Sequence, residues 1–340
     1  MHRPLRLTLD RAALRHNWRW LAETAGTACG AAIKADGYGI GARGAMGTLF
    51  EAGCRDFFVS TWAEAVDLGQ LPDGASLVVL HGVGPEDVEA ALSSSARPTL
   101  NSLEQVARWK ETAPGRPCDV MIDTGINRLG LRPEETGSLN GLAIDTLMSH
   151  LACADEDHTL NATQLERFRE VAAAVPAKRY SLANSAGICL GRDYAFDLVR
   201  PGLALYGGVP RREAEGNIRQ VAHVEAQVVQ LRTMRAGESC GYGATFVTDA
   251  DTELAILNVG YADGYLRAFS SRGGASFGGY GLPVVGRVSM DLTAVYAVAD
   301  LKEGDWVELE YDLPLASEVS GLSQYELLTT LGDRFDRRWR

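Results

Sequence analysis

The sequence predicts an α/β chain: a (β/α)8 barrel of the TIM type over residues 10–215, followed by a mainly β domain over 216–340. Three observations predict it. First, eight short strand-like runs, at 29–34, 57–60, 77–80, 97–100, 119–123, 146–150, 180–183 and 198–200, alternate with helical stretches. Eight such units suit a closed barrel better than a five- or six-stranded open sheet. Second, the pattern changes across the polar stretch 209–220, beyond which come β-rich runs broken by glycine. Third, the polar residues with chemical potential fall at the C-terminal ends of the strand candidates, where barrel active sites gather.

Each element has its own signal. Residues 5–9 form an isolated strand ahead of the first helix and are expected to join the β domain. Asp10 is placed to cap a helix over 11–24, and Thr61 precedes one over 62–70. Residues 102–112 and 160–174 carry apolar residues at helical spacing. In the second domain, strands are expected at 223–231, 253–259, 282–288, 293–298 and 306–310, and helical periodicity returns at 322–331.

Composition excludes several classes. At 46% hydrophobic, the 340 residues can bury a full core. No apolar run reaches the eighteen or so residues of a membrane span. The basic start Met1-His2-Arg3-Pro4-Leu5-Arg6 does not lead into the apolar stretch of a signal peptide, so a cytoplasmic protein is expected. A net charge of −11 argues against a nucleic-acid partner. The six cysteines are scattered without a C-x-x-C pair and read as reduced core residues, not as a zinc site.

Lys34 stands out. The segment Ala31-Ala32-Ile33-Lys34-Ala35-Asp36-Gly37-Tyr38-Gly39 places it where a strand stops and a glycine-rich loop starts, and only Lys110, Lys178 and Lys302 accompany it in the chain. A lysine so held is a candidate imine-forming nucleophile. Arg128 follows strand five, His150 ends strand six, Asn184 and Ser185 follow strand seven, and Arg200 ends strand eight in Arg200-Pro201-Gly202. The loops after strands seven and eight are a natural phosphate seat, with a hydroxyl from Ser185 and close backbone approach at Gly202. An amine for an aldehyde, an anion seat and an arginine between them match the two handles of pyridoxal 5′-phosphate.

These blocks, with Asp123-Thr124-Gly125-Ile126-Asn127-Arg128-Leu129-Gly130, Ser149-His150-Leu151-Ala152, Gly241-Tyr242-Gly243-Ala244-Thr245, Val259-Gly260-Tyr261-Ala262-Asp263-Gly264 and Gly286-Arg287-Val288-Ser289-Met290-Asp291, give a chain that resembles the alanine racemases, fold-type III enzymes dependent on pyridoxal phosphate. The resemblance runs nearly end to end. It implies that Lys34 holds the cofactor and is one proton-transfer base, with Tyr242 the base on the opposite face. It implies that Tyr38, Ser185, Gly202, Leu203 and the neighbourhood of Tyr206 surround the phosphate, with His150 and Asn184 beside the cofactor and Arg200 facing the pyridine nitrogen. Arg128 and Met290 would meet the substrate carboxylate and Tyr261 the entrance. Tyr242, Tyr261 and Met290 would reach the partner's site, so a homodimer acting on a small amino acid is expected. An arginine opposite the pyridine nitrogen should weaken the electron sink and restrict side reactions.

Two departures stand out. Many family members carry a carbamylated lysine seven residues before the arginine equivalent to Arg128; here Met121 stands there. The pattern running from Tyr325 often ends in a phosphate-contacting tyrosine, where this chain has Asp333. Alanine is the expected substrate, with serine, lysine or a broader range as alternatives. Three rivals are distant. Gly39-x-Gly41-x-x-Gly44 fits a dinucleotide fingerprint, although it starts late after the strand. His150, Asp155, Asp157 and His158 could suggest a metal hydrolase. A non-catalytic cofactor carrier would lack a second domain bearing Tyr242.

Overall fold

A computed structural model describes residues 2–340. The chain divides into two compact units, Leu14–Arg219 and a second that joins residues 2–13 to Gln220–Arg340, with the division falling inside the helix Arg11–Ala25.

In the first unit, seven parallel strands follow one another in sequence order: Ala31–Ala32, Asp56–Val59, Ser76–Val79, Arg97–Leu100, Cys118–Met121, Ile144–Met148 and Arg179–Ser181. The circle closes through the eighth, Leu198–Val199, which pairs in parallel with Ala28–Cys29. Its other edge is tied to strand seven, where Asp197 N donates to Tyr180 O at 3.0 Å and Arg200 N to Ala183 O at 2.9 Å. The expected first strand, 29–34, is therefore two short pieces either side of Gly30. Gly30 N bonds Val199 O at 2.9 Å, and a Cβ on Gly30 would lie 2.8 Å from Asp56 O and from the Phe58 ring. The strand must meet a neighbour on each side within a few residues, and only a residue without a side chain fits between them.

Consecutive buried residues in Asp56–Val59, Ser76–Val79 and Arg97–Leu100 mark strands covered on both faces. The covering helices begin at side-chain caps. Ala13 N donates to Asp10 Oδ1 at 2.9 Å, Glu64 N to Thr61 Oγ1 at 3.2 Å and Gln105 N to Ser102 Oγ at 3.3 Å. Among the described residues no helix is long and apolar enough to cross a membrane.

An ion-pair belt runs across the starts of the barrel strands, opposite the end that carries Lys34. Arg97 donates to Asp119 at 3.0 Å and to Ser76 at 2.9 Å, and lies 3.2 Å from Asp145. Arg179 holds Asp56 with two bonds, at 2.9 and 3.0 Å, and Asp145 with a third at 3.0 Å. Asp119 is fully buried, and burial lifts its carboxyl to about 6 despite the Arg97 guanidinium beside it.

The second unit is mainly β. Six strands close a ring: Ala222–Met234, Thr252–Leu257, Thr293–Tyr296, Tyr280–Val285, Gly274–Phe277 and Trp306–Leu309, the last returning to the first. Leu5–Leu9 adds to this sheet, antiparallel to Ala222–Met234 and parallel to Asp336–Trp339. A register shift between Val228 and Gln230 lets the long first strand change partners along its length. Three elements carry no clear signal in the sequence. Gly274–Phe277 has no β-branched residue, and Asp336–Trp339 is mostly charged, as an edge strand tolerates. Helix Leu313–Ser320 carries a proline, which reads as a breaker but sits in the first turn, where its missing N–H is no loss; Asp312 caps it. The expected helix at 322–331 is the shorter Gln324–Thr329.

Replacing Arg97 with methionine strands a buried Asp119. We expect a stability loss of about 3–5 kcal/mol, read as a lower urea midpoint. Because the folded-state pKa of Asp119 is raised, the penalty for its charge is present above that pKa and fades as pH falls. The deficit should therefore be smaller at pH 5 than at pH 8.

Candidate active site

Lys34 begins a short turn, Lys34–Tyr38, directly after the first barrel strand. Three non-glycine residues of that turn hold left-handed backbone: Ala35 at φ 52°, Asp36 at φ 50° and Tyr38 at φ 57°. Each costs on the order of 1 kcal/mol, so the surroundings must hold the turn in place. Asp36 Oδ1 accepts from Ala42 N at 2.8 Å, and Glu64 Oε1 from Ala35 N at 2.7 Å. Lys34 is half-buried. Burial, with the positive charge of Arg128 adding to it, pulls its amine below the usual lysine range, while Glu64 opposes them. This favours the neutral amine, the form that attacks an aldehyde. The dinucleotide fingerprint meets its explanation here: Gly39 N and Gly41 N donate to Ala35 O and Asp36 O at 2.8 Å, closing the turn, so these amides are engaged within the protein.

The anion seat forms at strands seven and eight. Ser185 opens helix Ser185–Cys189, which Asn184 caps by accepting from Gly187 N at 2.9 Å. The Ser185 hydroxyl accepts from Gly202 N at 2.9 Å and Ala204 N at 3.2 Å, which leaves its own O–H to donate. Gly202 and Leu203 are buried at the start of a 3₁₀ turn, Leu203–Tyr206. A Cβ on Gly202 would lie 2.0 Å from Tyr38 Oη, so the phenol of Tyr38 is drawn against this backbone. Tyr206 stacks on Tyr38, with ring centroids 4.8 Å apart, and donates to Ala32 O at 2.7 Å. Tyr206 thus braces Tyr38 and the lysine strand, its own hydroxyl bound to the backbone.

Arg200 is buried, donating through Nη1 to Ser181 Oγ and through Nη2 to Ser149 O at 2.6 Å. Burial lowers it to about 10, which leaves it charged at neutral pH. His150 is pushed down to about 3, by burial first and then by the positive charges of Arg200, Arg128 and Lys34. Its imidazole is therefore neutral.

Arg128 is exposed and lines an open cavity with Asn101, Asp123, Asn127 and Arg167. Its loop is fixed by Asp123 Oδ1, which accepts from Gly125 N at 2.8 Å and Asn127 N at 3.1 Å, with Asn127 in left-handed backbone. Met121 is buried at the strand end, its carbonyl accepting from Leu131 N at 2.9 Å. Asn127 turns its side-chain amide to Gly125 O at 3.5 Å. The acidic–histidine cluster does not converge on one point. His158 caps helix Thr159–Ala174 through Nδ1, and Asp157 pairs with Arg211 at 2.5 Å.

Tyr242, Tyr261 and Met290 belong to the β unit. Tyr242 stands on a 3₁₀ turn, Tyr242–Ala244, and is 65% exposed; Met290 is 53% exposed. The Tyr261 and Met290 loops are laced together, with Tyr261 N donating to Ser289 O and Ala262 N to Met290 O, each at 3.0 Å. Arg334 fastens both loops. It holds the buried Asp263 with two bonds, at 2.6 and 2.8 Å, and Asp291 with a third at 2.7 Å. Asp333 is exposed next to it. Sequence reasoning missed Glu64, Asp263 and Arg334. Thr61-x-x-Glu64 matches a capping box and could have flagged Glu64; no pattern in the sequence links Arg334 to positions 263 and 291.

Lys34, Tyr38, His150, Ser185, Arg200 and Gly202 therefore gather at one end of the barrel. The residues fit a phosphorylated aldehyde: a half-buried amine, a hydroxyl with a free O–H over two amides, and a glycine backbone pressed against a phenol.

The alanine racemase N-terminal domain pattern matches residues 9–210, and the alanine racemase C-terminal domain pattern matches 221–339. A catabolic alanine racemase of Agrobacterium fabrum is 42% identical over 354 aligned positions, covering 98% of this chain and 91% of that protein. An alanine racemase of Rhizobium meliloti is 41% identical, covering 98% and 96%. Among solved structures, the alanine racemase of Bartonella henselae with covalently bound pyridoxal phosphate superposes with a TM-score of 0.91 at 37% identity, covering 99% of each chain.

A methyl group on Gly202 must displace the Tyr38 hydroxyl. We expect Gly202→Ala to weaken binding of pyridoxal 5′-phosphate at least tenfold, about 1.4 kcal/mol, in a fluorescence titration of the cofactor-free protein. Wild-type affinity would show that this backbone does not form the phosphate seat.

Proposed function

This chain belongs to the alanine racemase family, and we propose that Lys34 and Tyr242 are the two bases with which it moves the α-proton of alanine. The enzyme is an isomerase that interconverts L- and D-alanine with pyridoxal 5′-phosphate. When bound, the cofactor supplies an aldehyde for an amine and a conjugated ring that makes the α-proton of an attached amino acid acidic.

Racemisation takes a proton from one face of the α-carbon and returns one to the other, so two bases on opposite faces suffice. The Lys34 amine, held below its usual pKa, is available to accept a proton on its side. Tyr242 serves the other side. An unperturbed phenol titrates near 10, so it needs positive charge close by when it acts as a base, and the charged Arg200 with the neutral His150 is the pair assigned to that task. Ser185, Gly202, Leu203 and Tyr38 hold the phosphate, and Asn184 fixes the helix from which Ser185 projects. The Arg200 Nε–H, which neither of its two described bonds uses, faces the pyridine nitrogen in this reading. A permanent cation there would disfavour a proton on that nitrogen and so would help to restrict the chemistry to proton transfer. Arg128 and Met290 receive the substrate carboxylate, and Tyr261 lines the entrance.

The observation that carries the assignment is the half-buried Lys34 two residues beyond Ala32, whose N–H bonds Pro201 O, next to the Gly202 that Ser185 holds. The exposure of Tyr242 and Met290 supports a homodimer in which each copy lends these side chains to the other's site. The division at 215–216 then separates a cofactor-holding part from a part that supplies the second base. Six free cysteines, three of them buried, support a cytoplasmic location, and the D-alanine formed suits a role as a precursor for the cell wall.

A chiral assay across a panel of L-amino acids should show alanine turned over fastest. Tyr242→Phe should lower racemisation by about 10²–10⁴, while borohydride reduction and peptide mass spectrometry still find the cofactor on Lys34. Full activity in Tyr242→Phe would remove the second base. The pH–rate profile should lack a limb near 6.5 from His150, because its imidazole stays neutral throughout that range.

A further inference from the structure

Glu64 lies in the helix Trp62–Leu68, behind the barrel strand that follows Lys34. In an ordinary capping box, the third helical residue returns one bond to the amide of its own cap. Glu64 does make that contact, to Thr61 N, but it is the longest of three at 3.2 Å. The same oxygen accepts from Ser60 N at 2.6 Å, at the end of the second barrel strand. The other oxygen leaves the helix altogether and accepts from Ala35 N at 2.7 Å. Ala35 is the first left-handed residue of the turn and the immediate neighbour of Lys34.

A turn of left-handed non-glycine residues relaxes toward ordinary backbone unless something holds it. Asp36 fastens its far side through Ala42 N. On the near side, the described anchor is the Glu64 carboxylate, joined to three amides from two segments of the barrel. Resting on the assignment of Lys34 as the cofactor lysine, we propose that Glu64 is a positioning residue for that lysine. Its carboxylate pins the strained turn to the end of the second strand and so fixes where the Lys34 amine sits. Its charge also acts on Lys34 directly, opposing burial and Arg128. Removal of Glu64 lets the turn relax, and the lysine then samples positions from which its bond to the cofactor is more open to attack.

The test uses the cofactor-loaded enzyme and measures how fast hydroxylamine strips the cofactor from Lys34, followed through the visible absorbance band. Borohydride reduction and peptide mass spectrometry first establish that the band belongs to Lys34. We expect Glu64→Ala to accelerate stripping at least tenfold. Glu64→Gln, which puts an amide –NH₂ where one acceptor oxygen stood, should give a smaller acceleration, and it carries the same test should Glu64→Ala fail to accumulate. Thr61→Ala removes the helix cap while leaving the carboxylate in place, so it should lower the melting temperature without changing the stripping rate. Wild-type stripping in the Glu64 variant that accumulates would overturn the proposal, as would equal acceleration in Thr61→Ala, which would trace the effect to helix stability. A wild-type enzyme with no adduct on Lys34 would overturn the assignment of the lysine itself, a result distinguishable from either.

Discussion

The catalytic end depends on the seam where the first barrel strand meets the last. Gly30 N to Val199 O at 2.9 Å and Ala32 N to Pro201 O at 2.8 Å are backbone bonds between segments about 170 residues apart, across a chain whose every other barrel pairing is between successive strands. Lys34 stands two residues beyond Ala32, and Arg200 and Gly202 flank Pro201 across the same end of this seam. Without closure, the amine and the anion seat would lie on opposite edges of an open sheet. The Tyr206 hydroxyl, donating to Ala32 O, adds a side-chain bond across the same junction.

Charge is sorted along the barrel accordingly. The strand starts carry a belt of acids and arginines held together by ion pairs. The strand ends carry Lys34, Arg128 and Arg200, whose positive charges add to burial in keeping His150 neutral, as burial and Arg128 lower the lysine amine. A site with net positive charge suits a substrate carboxylate and a phosphate, even in a protein of net charge −11. In the β unit the same economy appears once, where one guanidinium, Arg334, joins two acids and so sets two loops at once.

Much of this was legible in the sequence. The eight strand candidates overlap the eight barrel strands because each is a short apolar run between helical stretches, and Lys34 was conspicuous as one of four lysines at the end of such a run. The break at Gly30 was not legible, since a strand pairing on both sides reads like any other apolar run. Helix Leu313–Ser320 was hidden by its proline, and Asp336–Trp339 by its charges. The support of the site was the least visible part. Glu64 acts on a residue 29 positions away and Arg334 on one 71 positions away, so their roles arise from the folded geometry and not from local spacing.

The left-handed backbone at Ala35 has an evolutionary corollary. Glycine would adopt φ 52° without a steric penalty. A laboratory selection for heat resistance alone would therefore reward glycine at position 35 and, with the turn loosened, accept a less accurately aimed lysine. Stability and the aim of the lysine would then pull in opposite directions at this short bend.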